Sequence, residues 1–210
     1  MHNIIPGILE KDFSEIEKKI ELVKDFAKII HIDIIDGKFA PNATFLDPKP
    51  FEKYTKDIFF ELHMMVEDPV NYLEPFAASG FKRFLGHIEK MSSQEEFVAK
   101  GELYGEVGLV LDADTPFDSL KVSLEDLDCV LIMGVRAGFS GQVFMPEVLE
   151  KVKKIKEKMP VPVEIDGGID DSSIVKAYNA GIERFVTTSF LFEGNPFDNY
   201  QDLLSKIARG

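Results

Sequence analysis

Residues 29–37 read IIHIDIIDG. The isoleucines are β-branched and almost continuous, the composition of a strand buried on both faces. Such strands belong to parallel sheets covered by helices. Yet this one carries His31, Asp33 and Asp36. Burying a charge is costly unless it is paired or bound to a metal. The rest of the chain has to supply the partners.

Runs of the same kind recur along the chain: NIIPGIL, KIIHIDII, IFFELHMMV, FKRFLGHI, GEVGLVLD, DCVLIMGV, PVEID and RFVTTSFL. Between them lie helical patterns. DFSEIEKKIELVKDFAK spaces Phe13, Ile16, Ile20, Val23 and Ala27 along one face, and PEVLEKVKKIKEKM does so with Val148, Val152, Ile155 and Met159. DDSSIVKAYNAG opens on N-cap residues and stops at Asn-Ala-Gly, while DPVNYLEPFAASG also ends in glycine. Eight strands, each with a helix candidate after it and no linker between, predict an α/β fold: a single (β/α)8 TIM barrel spanning 1–210. A doubly wound open sheet is the alternative.

The 210 residues include 45% hydrophobic side chains, enough for a sizeable core. Lys and Arg number 24 against 37 Asp and Glu, and the net charge of -13 argues against a nucleic-acid partner. It leaves room for a small anionic substrate, which needs only a local positive site. The single cysteine, Cys129, excludes a disulfide framework and reads as a small core residue in a reducing cytoplasm. No signal peptide or membrane span is expected from the apolar runs.

In a barrel, chemistry belongs at the C-terminal ends of the strands. His31 and Asp33 are two apart and share a face. His63 comes late in the next strand, and Asp166 ends the seventh, just before Gly167-Gly168. Four N/O donors converging at one mouth suit a divalent cation such as Zn, Mn, Fe or Co. Asp36, past the strand end, reads as a turn former. Glycine-rich ends form a second constellation: AGFSGQ (137–142), DGGID (166–170) and, after the eighth strand, TTS (187–189). Backbone amides there can approach an anion, and the loops after strands seven and eight are a frequent phosphate site in barrels. Gly138, Phe139, Ser140, Gly141, Gly167, Gly168, Thr188 and Ser189 are therefore expected to contact a small phosphorylated substrate.

Over nearly its full length the chain resembles the ribulose-phosphate 3-epimerases. HIDIIDGKFAPNATF is similar to that family's His-x-Asp-x-Met-Asp-Gly-x-Phe-Val-Pro-Asn segment, and LHMMVEDPVNYL to its His-Leu-Met-Val region. LIMGVRAGFSGQVFMPEVLEKV resembles Met-x-Val-Asn-Pro-Gly-Phe-Gly-Gly-Gln-x-Phe, and EIDGGI resembles Val-Asp-Gly-Gly-Ile. The resemblance implies a barrel, a divalent metal on His31, Asp33, His63 and Asp166, and inversion at C3 of ribulose 5-phosphate. It makes Asp33 and Asp166 the acid–base pair, and it implies a homo-oligomer.

The chain departs from the family around the substrate. Gly7 replaces a serine that contacts substrate, Ile35 a methionine, Arg136-Ala137 an Asn-Pro, Ser140 a glycine and Thr188 a glycine. Arg136 is either a solvated surface residue or a guanidinium that binds phosphate. Two other functions stay open: a 3-epimerase of another ketose phosphate, such as a hexulose 6-phosphate, or a non-catalytic sugar-phosphate-binding barrel.

Overall fold

In the computed structural model, which describes residues 3–208, eight parallel strands close into a barrel in chain order. They are β1 (Asn3–Ile8), β2 (Ile29–Ile35), β3 (Phe59–Met65), β4 (Arg83–His87), β5 (Glu106–Leu111), β6 (Cys129–Met133), β7 (Val163–Asp166) and β8 (Arg184–Thr187). Pairing of Asn3 with Arg184 through Pro6 with Thr187 closes the ring between β1 and β8. The (β/α)8 expectation holds and the open sheet is excluded. Residues 1–2 and 209–210 of the expected 1–210 domain lie outside the described residues.

The period of two along each strand divides the side chains into two sets. Ile30, Ile32 and Ile34 of β2, with Phe60, Leu62 and Met64 of β3, face the helices in the main core. The alternate residues, among them Leu85, Val110, Leu131 and Met133, form an apolar cluster of their own inside the barrel. Cys129 belongs to that inner cluster, as its apolar neighbours suggested.

Helices cover the outside: α1 (Phe13–Val23), α2 (Leu73–Ala78), α3 (Gln94–Gly101), α4 (Leu149–Lys158), α5 (Ser173–Asn179), α6 (Ser189–Phe192) and α7 (Pro196–Ile207). α1 buries Ile16, Ile20 and Val23, the stripe its sequence offered, but it ends before Ala27. α5 stops before Gly181, whose φ of 96° suits glycine. α7 opens on Asn195, whose side chain accepts from the amides of Phe197 and Asp198.

Two expectations need correcting. The connections after β2 and β5 carry only 3₁₀ turns among the described residues. Pro41, Pro48 and Pro50 interrupt the first connection and Pro116 the second, so no long helix forms there. Strand eight also stops at Thr187, and SFL, read as its continuation, is one turn of α6. None of the described helices is long and apolar enough to cross a membrane.

Candidate active site

The inward set of β2, β3 and β7 carries polar pairs two residues apart: His31 and Asp33, Glu61 and His63, Glu164 and Asp166. Register places Asp33 beside His63, and His31 beside Glu61. The four residues expected to hold a metal do meet: one donor atom from each of His31, Asp33, His63 and Asp166 lies within 4.8 Å of the others. All four are buried.

His63 Nδ1 lies 2.7 Å from Asp33 Oδ1 and 3.4 Å from Asp166 Oδ2. His31 donates from Nδ1 to Glu61 Oε1 at 2.7 Å, the outer contact that fixes the orientation of a ligating histidine. That leaves a lone pair on Nε2, which is 3.4 Å from Asp33 Oδ1 and 3.9 Å from Asp166 Oδ2 and makes no hydrogen bond. A buried ring nitrogen without a partner, aimed at two carboxylates, is what a cation would satisfy. Burial opposes ionisation of Asp33, but the two imidazoles outweigh it and hold the carboxyl well below its usual range. Burial likewise opposes protonation of His31 and His63, and the carboxylates prevail, pushing both upward. The field at this mouth attracts positive charge.

Beneath it lies a charged floor that the sequence reading missed. Arg83 of β4 pairs with buried Glu61, and its Nε donates to Glu106 at 2.7 Å. Glu164 Oε2 stands 4.0 Å from Arg83 and 3.9 Å from Arg184. Burial, with Glu61 nearby, pushes the Glu164 carboxyl up. His31, Glu61 and Glu164 could also group around a cation. Two guanidinium groups already face those two glutamates, whereas Asp33 and Asp166 have only imidazoles. The four-residue set is therefore the better metal site. The signal for the floor was the repeated i, i+2 polar pair on inward positions.

The match to known proteins fits this geometry. A model of the ribulose-phosphate 3-epimerase family matches residues 3–192. The chain belongs to that family. It is 35% identical over 196 residues to the ribulose-phosphate 3-epimerase of Schizosaccharomyces pombe, covering 90% of this chain and 86% of the relative. The enzyme of that name from Synechocystis is 32% identical, with 97% and 92% covered. Among solved structures, the KGPDC of Streptococcus mutans superposes with a TM-score of 0.78 at 14% identity, covering 99% and 98% of the two chains. At that identity the likeness concerns the fold alone. The family makes this protein an isomerase acting on carbohydrates.

Above the four ligand candidates, an open cavity is walled by Met65, Met133 and Val135. Gly138, Phe139, Ser140, Gly141, Gly167, Gly168, Thr188 and Ser189, all expected at the substrate, line it. Several glycines also have a packing reason. Gly168 has φ of 68°, and a Cβ there would come within 2.6 Å of the Phe144 backbone nitrogen. The loop after β6 is tied down at three points. Gln142 Nε2 donates to the carbonyls of Arg136 and Phe139 at 2.8 Å, Asn42 Nδ2 to Gly138 O at 2.9 Å, and the Ala137 amide to Asp112 Oδ1 at 2.9 Å.

The structure ties two of the family departures together. A Cβ built on Gly7 falls on Thr188 Oγ1 and 2.8 Å from Val186 Cγ1. The Thr188 hydroxyl occupies the space that a side chain at position 7 would need. Arg136 sits apart: its Nε donates to Asp114 Oδ2 at 2.7 Å on the exposed surface, and it does not line the cavity. Asp36 is the turn former its position implied, accepting from the amides of Lys38, Phe39 and Glu67.

Proposed function

We propose that this isomerase inverts C3 of D-ribulose 5-phosphate to give D-xylulose 5-phosphate, with Asp33 and Asp166 as its acid–base pair. One divalent cation (Zn, Mn, Fe or Co) is held by His31, Asp33, His63 and Asp166. The observation that carries this reading is the buried two-histidine, two-aspartate cluster, whose two aspartates line the cavity.

Inversion beside a carbonyl needs one group to take the C3 proton and another to return a proton to the opposite face. Asp33 and Asp166 come from β2 and β7, two strands separated by β1 and β8, so they can address the substrate from two sides. One carboxylate takes the proton, leaving a planar enediolate, and the other, protonated beforehand, delivers to the far face. A bound divalent cation supplies polarisation of the ketose carbonyl and offsets the negative charge that develops there. Met65, Met133 and Val135 shield the enediolate from water. Amides and hydroxyls of Gly167, Gly168, Thr188 and Ser189, with the Gly138–Gly141 loop, bind the phosphate. The Thr188 hydroxyl, standing in the space over Gly7, makes good the serine lost there. The family resemblance supports a homo-oligomer, which light scattering tests, and the single cysteine supports a reducing cytoplasm.

The test is isotope exchange. Metal-loaded protein in deuterium oxide is expected to place deuterium at C3 of ribulose 5-phosphate and to form xylulose 5-phosphate. Exchange confined to a hexulose 6-phosphate would move the substrate. No exchange into any ketose phosphate would leave a binding barrel.

A further inference from the structure

His87 and Glu89 take no part in that acid–base chemistry, yet they are built onto its floor. His87 ends β4, is fully buried, and stacks on His63 with ring centroids 5.0 Å apart and planes at 23°. Phe39 packs on His87 with its centroid at 4.6 Å. The Nε2 atoms of His63 and His87 face each other at 3.0 Å. His87 Nδ1 lies 2.9 Å from Glu89 Oε2, and Glu89 Oε1 accepts the Asp112 amide at 2.8 Å.

Chemistry decides where the protons go. The His63 atom that faces the two aspartates is Nδ1. To offer a lone pair there, a neutral His63 must carry its proton on Nε2. That nitrogen faces His87 Nε2, which must then accept. The proton of a neutral His87 is left on Nδ1, where it needs an acceptor. The Glu89 carboxylate stands at that place, itself anchored by a backbone amide. The opposite tautomer of His63 would put a proton on Nδ1 and close the site to a cation.

We propose that His87, held by Glu89, is a positioning residue that fixes His63 in its Nε2-protonated form and so presents Nδ1 to the metal. This inference rests on the epimerase reading only in requiring that the four-residue set binds a divalent cation. Outer partners of this kind typically change metal affinity by about 10–100-fold.

Zinc affinity, measured by competition with a chromophoric chelator, tests it. His87→Phe keeps a buried ring but offers no acceptor, and is expected to weaken zinc binding by about 10–100-fold. His87→Gln, whose amide oxygen can accept from His63 Nε2, is expected to retain most of the affinity. Circular dichroism checks that both variants are folded. A long-range proton–nitrogen spectrum of the zinc-loaded wild-type protein is expected to show His63 protonated at Nε2 and His87 at Nδ1, and it decides the matter if His87→Phe does not fold. Unchanged affinity in His87→Phe, an equal loss in both variants, or a His63 proton on Nδ1 would overturn the proposal. Wild-type protein that binds no zinc would instead overturn the metal site itself, a distinct outcome.

Discussion

Asp33 and Thr188 border the same cavity, one in its floor and one on its rim, and they are constrained differently. Asp33 is almost completely buried, pairs with His63 and faces the unpartnered nitrogen of His31. Each neighbour has its own partner: Glu61 for His31, and His87, at the end of β4, for His63. A change at any of these positions strands a buried polar group, so the set changes together or not at all. On the rim, glycine backbone and short hydroxyl side chains line the cavity. The Thr188 hydroxyl, just past the end of β8, fills the space that a side chain at Gly7 of β1 would need. His31, Asp33, His63 and Asp166 match the motifs of the family, while Gly7 and Thr188 depart from them.

The largest expected effect lies in the floor. Asp166→Asn removes one of the two proposed acid–base groups and a proposed metal donor while preserving shape. General acid–base catalysis contributes roughly 10²–10⁴-fold, so turnover is expected to fall at least that far, with an unchanged circular dichroism spectrum. Asp33→Asn is expected to match it, since the proposed reaction uses the two carboxylates symmetrically. A folded Asp166→Asn enzyme with near-normal turnover would break the assignment of the pair.

Metal content comes next. Protein never exposed to chelator is expected to carry about one divalent ion per chain, the occupancy of a single four-donor site. Adding metal at about 100 times its Kd should stabilise the fold by about 2.7 kcal/mol, read as a rise in melting temperature that chelator reverses. Protein without bound metal and without a thermal response would leave the orphaned His31 nitrogen unexplained.

The same contrast governs what could be read from the sequence. The strands were legible because each is an apolar run buried on both faces, and His31, Asp33, His63 and Asp166 stood out as polar breaks near strand ends. Glu61, Arg83 and Glu164 break strands too, but they lie lower, where no chemistry is expected, and a strand alone does not show that their charges meet across the barrel. His87 was readable by the logic applied to His63, being a histidine at a strand's end. Its role depends on ring stacking and the facing nitrogens, which only the folded chain displays. The end of β8 escaped because Thr-Thr-Ser-Phe-Leu suits either a strand or a helical turn until the barrel fixes where the strand stops.

A smaller effect sharpens the reading of the rim. Gly7→Ser alone forces a side chain onto Thr188 Oγ1 and Val186. Overpacking of this kind costs about 1–3 kcal/mol, measurable by denaturant unfolding. Thr188→Gly in the same chain removes the closer of the two clashes, and the double variant should recover part of the lost stability. Additive losses would show that the two positions are independent.

The smallest effect is expected at Arg136, although it directly precedes the loop over the cavity. Its guanidinium points to Asp114, both side chains are largely exposed, and such pairs add little in salt. What the residue gives the loop is its carbonyl, which accepts from Gln142 and survives truncation of the side chain. Arg136→Ala should therefore leave KM for ribulose 5-phosphate nearly unchanged. Loss of a charged hydrogen bond to phosphate would instead raise KM by about tenfold or more. Gln142→Ala is the informative partner, because it removes both 2.8 Å bonds that hold Arg136 and Phe139 together across the loop. If Gln142→Ala raises KM while Arg136→Ala does not, the loop acts through its backbone shape. If Arg136→Ala has the larger effect, the guanidinium leaves Asp114 for the substrate, and the rim holds a charged contact that the floor does not need.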